Sequence, residues 1–148
     1  MPNASMHTLI QLAENEVEQH TDHLQRLNSE RQQASHQLST LHQYRLDYSD
    51  RLLQASQSGV TMSNYHNFYR FIGTLDQAIT QQNSLLEHLE SKITQQQQQW
   101  LAAKQRLNAY QTLQDRRDQA QAEHRARVEQ RENDELSAAM HYRLRQFN

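Results

Sequence analysis

The chain lacks cysteine and has one proline, at position 2, and two glycines, Gly59 and Gly73, among 148 residues. Without cysteine there is no disulfide framework and no thiolate to serve as a nucleophile or soft metal ligand. With no proline beyond Pro2, nothing interrupts helix formation by removing a backbone donor. Long apolar runs are also missing, so no segment is long enough to cross a bilayer as a helix. Neither sign of charge dominates: the formal net charge is -2 and the isoelectric point near 6.5. That balance argues against nonspecific nucleic-acid binding, which needs an excess of phosphate-neutralising Lys and Arg. Hydrophobic residues make up 35% of the chain and the mean hydropathy is -1.06, too little apolar surface for a large globular core. The first residues carry neither the basic region nor the apolar segment of an export signal, so a cytosolic location is expected.

What is present is a line of apolar residues. The spacing 3,4 runs unbroken through Met6, Ile10, Ala13, Val17, His20, Leu24, Leu27, Arg31, Ala34, Leu38, Leu41, Arg45, Tyr48, Leu52 and Ala55. It resumes at Tyr65, Phe68, Ile72, Leu75, Ile79, Gln82, Leu86, Leu89, Ile93, Gln96, Trp100, Ala103, Leu107 and Tyr110. Twelve of the fifteen positions in the first run and twelve of the fourteen in the second are apolar or aromatic. A seam repeating every seven residues for about seven heptads is the signature of a coiled coil rather than of a helix on a globular core.

The one weak point is Ser58-Gly59. It predicts an all-α fold: a long two-helix antiparallel coiled-coil hairpin over 5–113, with a helix over about 5–57, a turn at 58–62 and a second helix from 63. Ser5 and Ser63 are the expected N-caps, and Gly59 supplies the left-handed residue that ends the first helix. A connection this short makes the helices antiparallel neighbours. Folding at residue 59 pairs positions whose numbers sum to roughly 118, which sets Met6 level with Thr112 and Leu113. The second seam fades at that level, so it stops where its partner runs out. At 1.5 Å per residue the paired part is on the order of 75 Å long.

Residues 1–4 are expected to be disordered, and residues 114–148 to form a charged helical overhang that frays to a disordered C-terminus. The overhang holds seven Arg and seven acidic residues, and continuing the seam through Gln114, Arg117, Gln121, His124, Val128 and Arg131 meets only one apolar residue, Val128. A helix without a seam is marginal in water, so this tail is either solvated or ordered on contact with a partner.

The positions flanking the seam are unequal. In an antiparallel pair the e rows of the two helices face each other, as do the g rows. The e row is polar: Glu14, Thr21, Asn28, Ser35, His42, Ser49 and Ser56 on the first helix, and Asp76, Asn83, Glu90, Gln97 and Lys104 after Tyr69 on the second. The g row holds Tyr44, Phe71, Ala78 and Leu85, beside seam residues Leu41, Tyr48 and Leu75. Two helices cannot cover that widening, so an exposed aromatic patch near the turn is expected. Aromatic anchors of this kind concentrate binding energy.

Three segments, LAENEVEQ at 12–19, NFYRFIGTLDQAITQQ at 67–82 and LNAYQTLQDRR at 107–117, resemble the FliJ family of flagellar type III export proteins. The resemblance spans roughly residues 5–120. It implies a two-helix stalk at the cytoplasmic face of the export apparatus that inserts into the hexameric export ATPase, promotes ring assembly, contacts the gate protein FlhA and escorts export chaperones. It implies no enzymatic activity and no cofactor. Gate-binding positions of the family correspond to Gln37, Leu41, Tyr44, Tyr48, Phe71, Leu75 and Ala78. The family's His at the level of Gln82 is absent here.

Other chemistry finds little support. Glu16, His20 and His23 stand one helical turn apart, but three ligands without an HExxH-type pattern do not make a complete metal site. No glycine-rich phosphate cradle exists, so ATP hydrolysis would belong to a partner. Arg31 and Arg45 at seam positions fix register or extend to solvent, with Glu87 or Glu90 within reach of Arg31. His20, Gln82 and Gln96 are read the same way, and the Gln95–Gln99 run remains helical through the seam at Gln96. A structural coiled coil that merely self-associates is the competing reading, and an Arg-rich tail binding nucleic acid is a third. Light scattering is expected to return the mass of one highly helical chain, 17.6 kDa. A stable dimer at low concentration would favour the self-associating coiled coil.

Overall fold

A computed structural model of the chain describes residues 2–59 and 61–147, with side chains from residue 5 onward. Two helices fill it, α1 (Pro2–Ser58) and α2 (Met62–Gln146). No strand occurs among the described residues, and the two packed helices form the all-α hairpin that the seam predicts.

The helix ends differ from the expected ones by a few residues. α1 starts at Pro2 rather than Ser5. Met1 lies outside the described residues, and residues 2–4 form the first helical turn instead of a disordered lead. Proline suits this position, because its missing N–H would have no intrahelical partner and its φ is already helical. At the other end, Gly59 takes φ +73°, the left-handed conformation that terminates α1. The last turn's carbonyls are met by hydroxyls: Ser58 Oγ donates to the Gln54 carbonyl at 2.6 Å and Ser56 Oγ to that of Leu53 at 2.8 Å. Val60, in the middle of the turn, lies outside the described residues. α2 begins at Met62, and the Tyr65 N–H donates to the Thr61 carbonyl at 3.1 Å. Thr61, not Ser63, therefore holds the cap position. α2 runs on to Gln146 through the segment expected to fray, and residues 115–147 are all exposed; Asn148 lies outside the described residues.

Packing divides the chain into two units, Glu16–Ala102 and the pair Met1–Asn15 with Ala103–Asn148. Within Glu16–Ala102, Leu27, Ala34, Leu89 and Ile93 form a buried cluster flanked by Leu24 and Leu86. Ala55, Leu75 and Ile79 are buried nearer the turn. Within the other unit Met6, Ala13, Ala103 and Leu107 are buried, and Ile10, Tyr110 and Gln114 are half-buried. All the seam positions read from the sequence are buried or half-buried except Arg31 and Tyr65. Seam burial is thus the source of hairpin stability, at roughly 1.5–3 kcal/mol for each fully buried aliphatic side chain.

Polar seam residues other than Arg31 are paired rather than tolerated. Gln96, 6% accessible, places its Nε2 2.6 Å from His20 Nδ1. One turn on, Trp100 Nε1 donates to Thr21 Oγ1 at 3.0 Å. Gln82 Nε2 donates to the Ala34 carbonyl at 2.9 Å and to Gln37 Oε1 at 3.1 Å. Ala34 has only a methyl group at this level, which leaves its carbonyl within reach of the amide. Arg45 forms an ion pair with Asp76, Nε to Oδ1 and Nη2 to Oδ2 at 3.5 Å. That hydrogen bond, and then the carboxylate charge, raise the Arg45 pKa above its ordinary value. Arg31 is exposed and makes no ion pair with Glu87 or Glu90; of the two roles expected for it, extension to solvent is the one observed. Residue numbers in the cross-helix pairs sum to between 116 for His20 with Gln96 and 121 for Arg45 with Asp76, on either side of the expected 118.

The two glycines make opposite demands. Neither would bring an added methyl group within 4 Å of another atom, so backbone conformation alone decides the outcome. Gly59→Ala is expected to destabilise by about 1–2 kcal/mol because of its left-handed φ. Gly73→Ala, inside an exposed stretch of α2, is expected to stabilise by about 0.5–1 kcal/mol. Urea denaturation followed by circular dichroism measures both, and equal signs would contradict the assignment.

Candidate protein-docking site

The seven residues singled out for docking lie on one flank of the Glu16–Ala102 unit, drawn from both helices by heptad position. Tyr44 on α1 and Phe71 and Ala78 on α2 occupy g positions, while Leu41, Tyr48 and Leu75 are seam residues that border them. The structure sorts them by exposure. Tyr44 is 51% and Phe71 40% accessible, whereas Leu75 is buried at 5%. Leu41, Tyr48 and Ala78 are half-buried, and Gln37 is exposed. Leu75 therefore serves the core, and a partner would meet chiefly Tyr44, Phe71, Gln37 and the outer edges of Leu41 and Tyr48.

Tyr48 is the centre of the aromatic group. Its ring lies 4.4 Å from that of Phe71 and 6.1 Å from that of Phe68, both tilted, and the Arg51 guanidinium sits 5.4 Å over it. Tilted aromatic pairs at these separations contribute about 0.5–1.5 kcal/mol beyond their buried area. These contacts hold Phe71 in a fixed pose although much of it faces solvent. Beside them opens an apolar groove of about 430 Å³ lined by Tyr48, Asn64, Asn67, Phe68 and Phe71. A second groove of about 300 Å³ is lined by Gln37, Thr40, Leu41 and Gln82. At the rim of this groove the Gln82 amide donates to Gln37 Oε1.

Sequence reasoning misses Asn64 and Asn67. A signal exists for Asn64, since the g row of Phe71, Ala78 and Leu85 continues back to it by one heptad. The pattern also overstates the asymmetry of the flanks. The e row is polar apart from Tyr69 (66% accessible), and next to it Leu46 (58%) and Leu53 (60%) are exposed too.

Of the His-rich candidate, His20 Nε2 lies 3.9 Å from Glu16 Oε1 while its Nδ1 faces Gln96, and His23 is exposed. Among the described residues no group of three or more His, Asp or Glu is arranged to hold a metal ion, and no helix is long and apolar enough to cross a membrane. The chemistry available on the docking flank is apolar and aromatic contact with amide hydrogen bonding.

The family model described as flagellar FliJ protein matches residues 2–146. The chain is 35% identical over 135 residues to the flagellar FliJ protein of Escherichia coli (strain K12), covering 91% of this chain and 92% of the relative. It is 33% identical over 135 residues to the flagellar FliJ protein of Salmonella typhi, with the same coverage.

The sorting by exposure has a measurable consequence for stability. Leu75→Ala is expected to cost about 2–5 kcal/mol, as for other buried leucines. Tyr44→Ala is expected to stay within about 0.5 kcal/mol of the parent, because it removes a side chain that no core contact requires. Equal losses in urea denaturation would show that Tyr44 belongs to the core and not to a free surface.

Proposed function

This chain belongs to the flagellar FliJ family and so to flagellar protein export, and from that premise we propose that it is the cytoplasmic stalk linking the hexameric export ATPase to the gate protein FlhA. The observation that carries the gate contact is the g flank of the Glu16–Ala102 unit. It is aromatic and partly exposed, held in shape by Tyr48, and composed from both helices. Of the positions that the family resemblance implies for gate binding, Gln37, Tyr44 and Phe71 are exposed, Leu41, Tyr48 and Ala78 are half-buried, and Leu75 is buried. A solvent-facing Tyr44 and a Phe71 braced from behind can enter a partner pocket with little loss of side-chain freedom, which is what gives aromatic anchors their binding energy.

Ring insertion and ring assembly are assigned to the unit containing Met1–Asn15 and Ala103–Asn148. In support, α2 there continues as exposed helix, with mixed charge and solvent-facing Leu136 (62% accessible), Met140 (59%) and Leu144 (67%). The same tail is the proposed contact for escorted export chaperones. The chain acts by binding rather than by catalysis, and the free energy of ATP hydrolysis is its partner's. Isolated, it is a monomer, reaches the membrane only through its partners, and binds no nucleic acid.

Binding to the purified cytoplasmic part of FlhA tests the gate assignment. Tyr44→Ala and Phe71→Ala are each expected to weaken affinity by at least about tenfold, the range of interface anchors. Helicity by circular dichroism should be unchanged, and Leu46→Ala and Leu53→Ala on the other flank should bind as the parent does. Unaltered affinity in both aromatic variants would remove the g flank as the docking site.

A further inference from the structure

The apolar seam of the Glu16–Ala102 unit does not by itself select one alignment of α1 against α2. A 3,4 repeat returns every seven residues, so sliding one helix by a heptad again sets apolar side chains against apolar ones. The polar contacts are not periodic in this way. Apart from the Trp100 to Thr21 bond, which a one-heptad slide replaces with Asn28 or Glu14 as acceptor, they lie at three levels: His20 with Gln96, Ala34 and Gln37 with Gln82, and Arg45 with Asp76. Sliding by one heptad in one direction would bring Gln96 level with Leu27, Gln82 with Leu41 and Asp76 with Leu52. In the other direction their levels become those of Ala13, Leu27 and Leu38. All the new partners are aliphatic, so either one-heptad slide strands both seam amides without their hydrogen bonds and leaves Asp76 without its guanidinium. A buried amide without a partner costs more than the hydrogen bond contributes when it is made, so the penalty falls on the wrong alignments.

We propose that these three contacts, and not the apolar seam, fix the axial register of α1 against α2, and so make His20, Gln82, Gln96, Arg45 and Asp76 the positioning residues of the two-helix docking flank. Tyr48 meets Phe71 only in this register. A slide of one heptad would set the Tyr48 ring level with Asn64 or Ala78 in place of Phe71. The tight turn at Gly59 also resists sliding, so its contribution has to be separated from that of the polar levels.

The test lengthens the turn and reads the register directly. A flexible Gly/Ser insert of about twelve residues after Gly59 has a reach of roughly 19 Å, against the roughly 10 Å that a one-heptad slide requires. The chain has no cysteine, so introduced pairs report without background. Ser35→Cys with Asn83→Cys closes a disulfide in the observed register, while Ser35→Cys with Glu90→Cys and Asn28→Cys with Asn83→Cys close only after a slide in one or the other direction. With the polar levels intact, the slipped pairs are expected to reach less than about one-tenth of the native pair's yield, as expected of a specificity built on mismatch. Replacing the levels by His20→Leu, Gln96→Leu, Gln82→Leu, Arg45→Leu and Asp76→Ala is expected to keep the helicity and to hold or raise the melting temperature. The slipped pairs should then rise at least about fivefold as the penalty is lifted. Gln96→Met with Gln82→Met, which preserves side-chain length, is expected to move the yields in the same direction and serves if the chain with all the levels replaced does not fold. Slipped pairs that form with the levels intact, or that stay absent in both substituted chains, would overturn the proposal. No partner is needed for this readout, so its failure would leave the docking reading standing.

Discussion

Two helices can bury only the one stripe they share, and the rest of this structure follows from that limit. A third helix would cover the flanks; here none does, and no described side chain is completely shielded from solvent. Within each unit the core is consequently a single file of side chains. Small residues such as Ala13, Ala34 and Ala103 are among its most buried members, and larger ones such as Trp100 and Tyr110 keep an edge outside. Stability grows with the length of the stripe rather than with the depth of a core, which explains how a chain with so few apolar residues holds two helices of 57 and 85 residues.

A thin seam also changes what a polar residue inside it does. In a deep core Gln96 and His20 would need every donor and acceptor satisfied within the protein, at a high penalty for failure. Here they meet each other at the seam, Gln96 buried and His20 half-buried. The same shallow geometry lets Arg45 leave its seam position toward Asp76 and lets Arg31 extend outward. These substitutions lower the apolar content of the stripe without unmaking it. They give the hairpin distinct levels along an otherwise repetitive seam.

Much of this is legible in the residues because a heptad pattern maps directly onto burial. The register is readable from the break at Gly59, and the observed cross-helix pairs fall on either side of the expected sum. Legibility fails where position along the heptad does not decide the outcome. Leu75 reads as part of the patch by its neighbours, yet its own seam position buries it. Thr61 caps α2 in place of Ser63 because capping depends on where the turn releases the chain, which spacing alone does not reveal. Asp76 reads as one more polar residue of the e row, since a pattern records which positions are polar and not which partners a long guanidinium can reach. Leu136, Met140 and Leu144 escape notice because they lie off the continuation of the seam through Val128 and Arg131, on a face that pairs with nothing in the chain.

The docking flank joins these strands. A face assembled from one helix would survive any sliding of its neighbour; one assembled from Tyr44 and Tyr48 on α1 and Phe71 on α2 exists only while the two helices keep their alignment. Shape and register are then one property, and the residues that weaken the seam acquire a use that their effect on stability does not reveal. Gln82 makes the point most directly. It interrupts the apolar stripe, yet the same amide reaches the Ala34 carbonyl inside the seam and Gln37 at the groove beside it. One side chain thus ties the alignment of the helices to the surface they present, and a partner that recognises that surface recognises the register with it.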